Sequence, residues 1–107
     1  MFKVFRKFVI TMKNQVIIDR LRLEKKYLSS HFDVEEIGVF GSYARGEETS
    51  DSDVDILIKF RKPSFDSLMG AYLYLEKALN KKIDLVTKHK HLSSRFLKVI
   101  EKEIVYA

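Results

Sequence analysis

The most constraining feature of this chain is the segment DVDILIKF at residues 53–60, in which side-chain character alternates. Four apolar positions alternate with the rest, namely Val54, Ile56, Ile58 and Phe60. This pattern predicts a β-strand with one face in a hydrophobic core. Residues two apart on a strand point to the same side, so Asp53 and Asp55 are expected to share the opposite face.

Helical and strand patterns alternate along the rest of the chain. They predict a helix over 13–30, a strand over 36–40, a loop with a helical turn over 41–52, a helix that starts near Ser64 or Asp66 and ends at Asn80, a strand over 82–87, a helix over 91–101 and a short terminal strand after that. Three or four strands with about three helices make one α/β (α+β) domain. At 107 residues the chain has room for one core and one small site.

Apolar residues at helical spacing predict the buried face of each helix. The inward residues of the first helix are predicted to be Ile17, Leu21, Tyr27 and Leu28. Those of the second are Phe65, Leu68, Met69, Tyr72 and Leu79. Those of the last are Leu92, Phe96, Val99 and Ile100.

Charge is distributed unevenly around a net value of +5. Residues 1–30 carry eight basic and two acidic side chains, residues 31–60 carry two and eight, and residues 61–107 carry ten and five. Basic flanks favour a polyanion such as a nucleotide or nucleic acid, and an acidic segment favours a divalent cation. A solvated, lysine-rich surface explains the same charges equally well.

The chain has no cysteine, which excludes disulfides, thiolate nucleophiles and cysteine-bound zinc. A reducing compartment is the simpler expectation, and we expect a cytoplasmic protein. No apolar run is long enough to predict a transmembrane helix, so no membrane association is expected.

The candidate chemistry lies in GSYARGEETSDSDVDILI, residues 41–58. Gly41 and Ser42 directly follow a predicted strand, where a tight turn lets backbone N–H groups and a hydroxyl face an anion. Arg45 adds a guanidinium that could clamp a phosphate. An ordinary turn is the alternative explanation for Gly41 and Ser42 taken alone.

Three carboxylates could meet near this turn. Asp53 and Asp55 can converge on one hard cation, or they can be a solvated pair at the end of a strand. Asp84 lies within the apolar strand KIDLVT, where an acid is costly unless it has a partner. If that strand neighbours the Asp55 strand, the three carboxylates come together. A salt bridge from Asp84 to a lysine is the alternative.

Gly41-Ser42, ten residues and then Asp53-x-Asp55 resemble the signature of the DNA polymerase β-like nucleotidyltransferase superfamily. The motif is most similar to that of the minimal nucleotidyltransferases, the partners of HEPN-domain toxins in prokaryotic toxin–antitoxin pairs. The resemblance covers roughly residues 16–106. It implies a polymerase β-like fold with a small mixed β-sheet.

The resemblance also assigns roles to residues of this chain. The Gly41–Ser42 turn would bind nucleotide phosphates, with help from Arg45. Asp53 and Asp55 would hold two Mg²⁺ ions, and Asp84 would complete this catalytic, metal-binding triad and accept the proton of the attacking hydroxyl. The reaction would be nucleotidyl transfer of the EC 2.7.7 type, in which AMP moves from ATP to another molecule.

In the toxin–antitoxin pairs the acceptor resembles a tyrosine hydroxyl of the HEPN RNase toxin, so a hetero-oligomer is expected and direct binding of nucleic acid is not. Two alternatives stay open. The chain could neutralise its partner by binding alone, or it could transfer nucleotides to a small molecule.

Residues 1–11, MFKVFRKFVIT, are a separate feature before this domain. Charged residues interrupt the apolar ones, which argues against a signal peptide. We expect an N-terminal arm at 1–11, helical or extended, and the nucleotidyltransferase domain at 12–107. Met12 resembles a natural start, so the arm could lie outside the domain.

Overall fold

The computed structural model of the protein describes residues 2–49 and 51–107, with side chains from residue 15 onward. In chain order the elements are α1 (Phe2–Phe32), β1 (Val34–Phe40), α2 (Gly41–Arg45), β2 (Val54–Phe60), α3 (Phe65–Leu79), β3 (Ile83–Thr87), α4 (Ser94–Glu101) and β4 (Val105–Tyr106). These described residues hold four strands, as predicted, and one helix more than the three expected. The additional helix is α2, the helical turn predicted in the loop after β1.

The four strands form one mixed sheet in the order β3-β2-β1-β4. Strand β1 pairs antiparallel with both β2 and β4, whereas β2 and β3 are parallel. Helix α3 connects the two parallel strands, because a parallel pair requires a crossover that a tight turn cannot supply. The predicted α/β fold with a small mixed sheet is confirmed.

Two hydrophobic clusters lie on opposite faces of the sheet. Helices α1 and α3 cover the larger one, which includes Leu21, Ile56 and Leu75, all fully buried. The smaller cluster joins Leu57 on β2 to Ile100 on α4. Leu57 lies between Ile56 and Ile58 of the larger cluster, so successive residues of β2 contribute apolar side chains to the clusters on both faces of the sheet.

Side-chain caps define where two of the helices begin. Ser64 caps α3, because its Oγ accepts a hydrogen bond from the backbone N–H of Ser67 at 3.0 Å. Of the two predicted candidates, Ser64 is thus the cap, and Asp66 lies in the first turn of the helix. Asn80 ends α3 in the left-handed conformation, with φ 51°. Helix α4 begins at Ser94 after its cap Ser93. The predicted start near His91 was therefore too early.

Four residues predicted to face inward are exposed instead: Tyr27 at 40%, Phe65 at 74%, Met69 at 38% and Val99 at 60%. The buried residues of α3 are Ala71, Leu75 and Leu79. Helical periodicity locates an apolar stripe, but the neighbouring helix decides which part of the stripe is covered. Here the ring of Phe32 from α1 lies so close to Gly70 that a Cβ at that position would collide with it.

Helix α1 is continuous through the predicted arm, from Phe2 to Phe32. The arm's side chains and Met1 lie outside the described residues. In the part of the chain that the structure describes, no helix is both long and apolar enough to cross a membrane.

Candidate active site

The sheet register brings Asp55 and Asp84 side by side. Asp55 on β2 pairs with Asp84 on the parallel strand β3, and on its other side with Phe40 at the end of β1. Directly paired residues of neighbouring strands present their side chains to the same face. This face also carries Leu57, so the two carboxylates share it with the smaller hydrophobic cluster.

Three acids interact electrostatically at this point. Burial raises the pKa of Asp55, and repulsion from Asp84 and Asp53 raises it further, while the charge of Arg45 opposes the shift. Asp53 is exposed and directly precedes β2. The structure therefore places the three predicted carboxylates around one end of the β2–β3 pair.

Asp84 is exposed, not buried among apolar residues as the KIDLVT pattern suggested. The reason is that β3 is an edge strand, which has a neighbouring strand on one side only. Among the ion pairs between described residues, none involves Asp84, so the alternative of a lysine salt bridge is not found.

The acids do not form a ready-made metal centre. Across residues 2–49 and 51–107, no three acidic or histidine side chains converge closely enough to hold an ion. The donor chemistry still fits Mg²⁺, which prefers carboxylate oxygens. A cation would also relieve the repulsion that raises the pKa of Asp55.

The turn after β1 contacts the carboxylate of Asp55. Gly41 begins α2 with φ 72°, a left-handed conformation that L side chains rarely adopt. A Cβ at this position would collide with Oδ2 of Asp55. Glycine is therefore required both by the backbone and by the approach of the carboxylate, and Ser42 follows it, half-buried.

Arg45 is engaged by two acids of this chain. Its Nη1 donates to Glu103 at 2.8 Å and its Nε donates to Glu47 at 3.1 Å. The bonds to Glu103 and then to Glu47 raise the pKa of the guanidinium. The predicted phosphate clamp is thus paired internally in this conformation.

Glu103 is a site residue that sequence reasoning missed. Its Oε1 accepts from the backbone N–H of Gly41 at 3.1 Å, and its Oε2 accepts from Arg45. The bond from Arg45 is the main reason that the pKa of Glu103 is lowered. No signal in the sequence could have found this residue, because 62 positions separate it from Gly41 and only the pairing of β4 with β1 brings it there.

Helix α3 borders the same site. The carboxylate of Glu76 raises the pKa of Tyr72, and the charges of Asp53 and Asp84 contribute to the shift. A cleft of about 310 Å³ lies beside Asp53, between the 51–53 segment and the α3–β3 turn. Lys81 and Lys82 line the far side of this cleft.

Comparison with known families interprets this arrangement. The sequence model of the nucleotidyltransferase domain matches residues 21–107. This chain belongs to the nucleotidyltransferase domain family. The predicted family and enzyme class are confirmed.

Relatives with similar sequences support this membership. The nucleotidyltransferase is 47% identical over 87 residues to the protein adenylyltransferase MntA of Thermococcus cleftensis, which covers 80% of this chain and 87% of the relative. It is 43% identical over 89 residues to a protein assigned as a protein adenylyltransferase in Methanocaldococcus jannaschii, and the match covers 80% of this chain and 89% of that relative.

Solved structures show the same fold. One assigned as a minimal nucleotidyltransferase superposes with a TM-score of 0.66 at 27% identity, covering 82% of this chain and 93% of that one. A toxin–antitoxin complex with AMP-PNP superposes with a TM-score of 0.61 at 21% identity, and the match covers 78% of this chain and 68% of that one. The complex of a tri-AMPylated Shewanella oneidensis HEPN toxin with MNT antitoxin superposes with a TM-score of 0.54 at 19% identity, and the match covers 91% of this chain and 70% of that one. The last two, at low identity, bear on the fold alone.

Proposed function

We propose that this nucleotidyltransferase moves AMP from ATP to a protein hydroxyl, with Mg²⁺ as cofactor. The acceptor is a tyrosine of a HEPN-domain toxin, and the modification makes the chain an antitoxin. Enzyme and toxin would form a hetero-oligomer.

The observation that carries the proposal is the meeting of the Gly41 turn with a pair of adjacent carboxylates. Gly41 touches Asp55, and Asp55 pairs in register with Asp84. The N–H of Gly41 donates to Glu103, so the phosphates of a nucleotide would be bound by the Ser42 hydroxyl and the N–H groups that follow Gly41. Carboxylates suit the cations that accompany those phosphates. Each element alone has ordinary structural explanations, but their contact favours a metal–nucleotide site.

In this site the Gly41–Ser42 turn binds the β- and γ-phosphates of ATP. Asp53, Asp55 and Asp84 would hold Mg²⁺, which when bound neutralises charge on the entering and leaving oxygens. The acceptor hydroxyl oxygen attacks the α-phosphorus and forms a new P–O bond. The bond to pyrophosphate breaks, and pyrophosphate leaves. Asp84 accepts the hydroxyl proton.

Exposure of the acids favours a large acceptor. Asp53 and Asp84 are both exposed, and Asp84 is on the edge strand of the sheet. A tyrosine that projects from the surface of another protein can therefore reach them without any change in this fold. Two relatives above 40% identity are named as protein adenylyltransferases, which supports a protein acceptor.

The test compares wild type with Asp53→Asn. The proposed HEPN-domain partner is incubated with each enzyme, ATP and Mg²⁺, and its mass is measured. We expect wild type to add AMP, and Asp53→Asn to slow the addition by orders of magnitude, because the transition state depends on fixed charge at this position. Asp51→Asn, an equally conservative change at an exposed carboxylate two residues away, should retain the wild-type rate.

Three outcomes would contradict the proposal. An unmodified partner with wild type excludes protein adenylylation. Equal rates for Asp53→Asn and Asp51→Asn would remove Asp53 from the site. Cells protected equally by wild type and by Asp53→Asn would show that neutralisation occurs by binding alone.

A further inference from the structure

Glu103 makes two contacts inside the proposed site, and each uses a different oxygen. One oxygen accepts from the N–H of Gly41 at 3.1 Å, and the other accepts from Arg45 at 2.8 Å. The side chain is only 20% exposed. A single carboxylate thus contacts both ends of the short helix α2, at Gly41 and at Arg45.

The backbone around Glu103 is held on both sides. Before it, Ile100 is 2% exposed in the smaller hydrophobic cluster, and its carbonyl accepts from the N–H groups of Glu103 and Ile104 at 3.0 and 2.8 Å. After it, β4 pairs with β1 through Val105 and Val39. Glu103 therefore extends from an anchored segment rather than from a loose terminus.

We propose that Glu103 is a positioning residue for nucleotidyl transfer. It fixes the Gly41 turn against Asp55 and holds Arg45, so that the C-terminal segment sets the geometry of the active site. The proposal rests on the assignment of the Gly41 turn and Asp55 to that site.

Charge balance explains why Arg45 acts with Glu103 and not as a phosphate clamp. The guanidinium carries one positive charge, and it already faces two carboxylates, those of Glu103 and Glu47. Little positive charge is left to attract a triphosphate. The negative charge of Glu103 adds to the repulsion around Asp55, and the positive charge of Arg45 opposes it.

The consequence for catalysis is geometric. The turn that binds the phosphates must be fixed relative to the carboxylates that act on the α-phosphorus, since a misplacement of about 1 Å can cost about 100-fold in rate. Gly41 has no side chain that could anchor the turn by packing. The hydrogen bond from its backbone N–H to Glu103 holds the turn in position instead.

The test measures kcat and KM for ATP in the AMP-transfer assay with the intact partner. Glu103→Ala should lower kcat by about 10- to 100-fold, with the KM for ATP changed less than about 3-fold, because positioning is lost and not phosphate binding. Glu103→Gln should restore part of kcat, since its amide oxygen can still accept from Gly41 whereas its NH₂ group cannot accept from Arg45. Glu101→Ala, at an exposed acid on α4, is the matched control and should behave as wild type.

Arg45→Ala and the double variant separate a shared role from two independent ones. If Arg45 and Glu103 act as a unit, the double variant should be no slower than the slower single variant. An increase of about 10-fold in the KM for ATP with Arg45→Ala, but not with Glu103→Ala, would make Arg45 a phosphate ligand and overturn the proposal. A kcat for Glu103→Ala equal to that of Glu101→Ala would overturn it too, as would a higher kcat.

A second measurement needs no turnover. In NMR spectra of the free protein, the Gly41 amide proton should shift upfield in Glu103→Ala and stay near its wild-type position in Glu103→Gln. An unchanged Gly41 signal in Glu103→Ala would refute the contact. If wild type transfers no AMP while the Gly41 signal still depends on Glu103, the proposed function fails and the structural link stands.

Discussion

At the scale of single residues, Asp55 is the point where stability and the proposed function oppose each other. Its carboxylate is partly buried, borders Gly41 and lies beside Asp84 and near Asp53. Burial first, and repulsion second, raise the pKa of Asp55. Without a cation, the folded chain therefore disfavours the charged form of this carboxyl group relative to the neutral form.

This opposition predicts the effect of Asp55→Asn on the metal-free protein. Because folding raises the pKa of Asp55, the protonated carboxyl is favoured in the folded state, and stability is lost as pH rises through the folded-state pKa. In EDTA at pH 7, Asp55→Asn should therefore melt a few degrees above wild type. Below the ordinary value of 3.8 the difference should vanish, because both side chains are then uncharged. Calorimetry across pH measures this.

Asp51→Asn is the matched comparison, since Asp51 is an exposed carboxylate just before β2. It should show no such pH-dependent gap. A difference in melting temperature between Asp55→Asn and wild type that is the same at pH 3 and pH 7 would contradict the electrostatic explanation. Addition of Mg²⁺ should raise the melting temperature of wild type more than that of Asp55→Asn.

At the scale of elements, α4 determines how the C-terminal segment approaches the site. The sequence pattern predicted that both Val99 and Ile100 are buried, but Val99 is 60% exposed and Ile100 is 2% exposed. Ile100 packs with Phe40 and Leu57. Phe40 directly precedes Gly41, and Leu57 follows Asp55 by two residues. The packing of one residue of α4 thus supports residues next to the site, on the same face of the sheet as the two carboxylates.

Alanine substitution of these two neighbours tests the assignment. Ile100→Ala should lower the free energy of unfolding by about 2–4 kcal/mol, because it removes buried methylene groups and leaves a cavity. Val99→Ala should change it by less than about 0.5 kcal/mol, as is usual at exposed positions. Urea denaturation gives both values. Similar costs for the two variants would mean that α4 is rotated from the orientation described.

At the scale of the whole molecule, the sheet order assembles the site from four distant segments. The order β3-β2-β1-β4 places Asp84, Asp55, Gly41 and the segment of Glu103 next to one another. Among the residues of α1 whose side chains are described, from position 15 onward, the first buried one is Ile17, and the family match begins at residue 21. We propose that residues 12–107 form the domain and that residues 1–11 are an arm.

Truncation tests this boundary. Removal of residues 1–11 should leave the melting temperature and the AMP-transfer rate at wild-type values, because the described core begins beyond the arm. Removal of residues 1–21 should destabilise the domain strongly, since Ile17, Ile18 and Leu21 are all buried in the larger cluster. Loss of stability with the shorter deletion would make the arm part of the domain.

The sequence by itself determined the local elements and the motif residues. Alternation in β2, the cap at Ser64 and the glycine at position 41 depend on near neighbours in the chain, and all three were predictable. The family followed from the same short segment, because GS-x10-D-x-D is contiguous in sequence.

Only the tertiary structure decided which residues meet. The exposure of Asp84 depends on β3 being an edge strand, and the exposure of Val99 depends on how α4 packs on the sheet. The contact of Glu103 with Gly41 and Arg45 depends on β4 pairing with β1. Periodicity and caps report interactions over a few residues, whereas strand order and helix rotation are set by long-range packing, which leaves no local pattern in the chain.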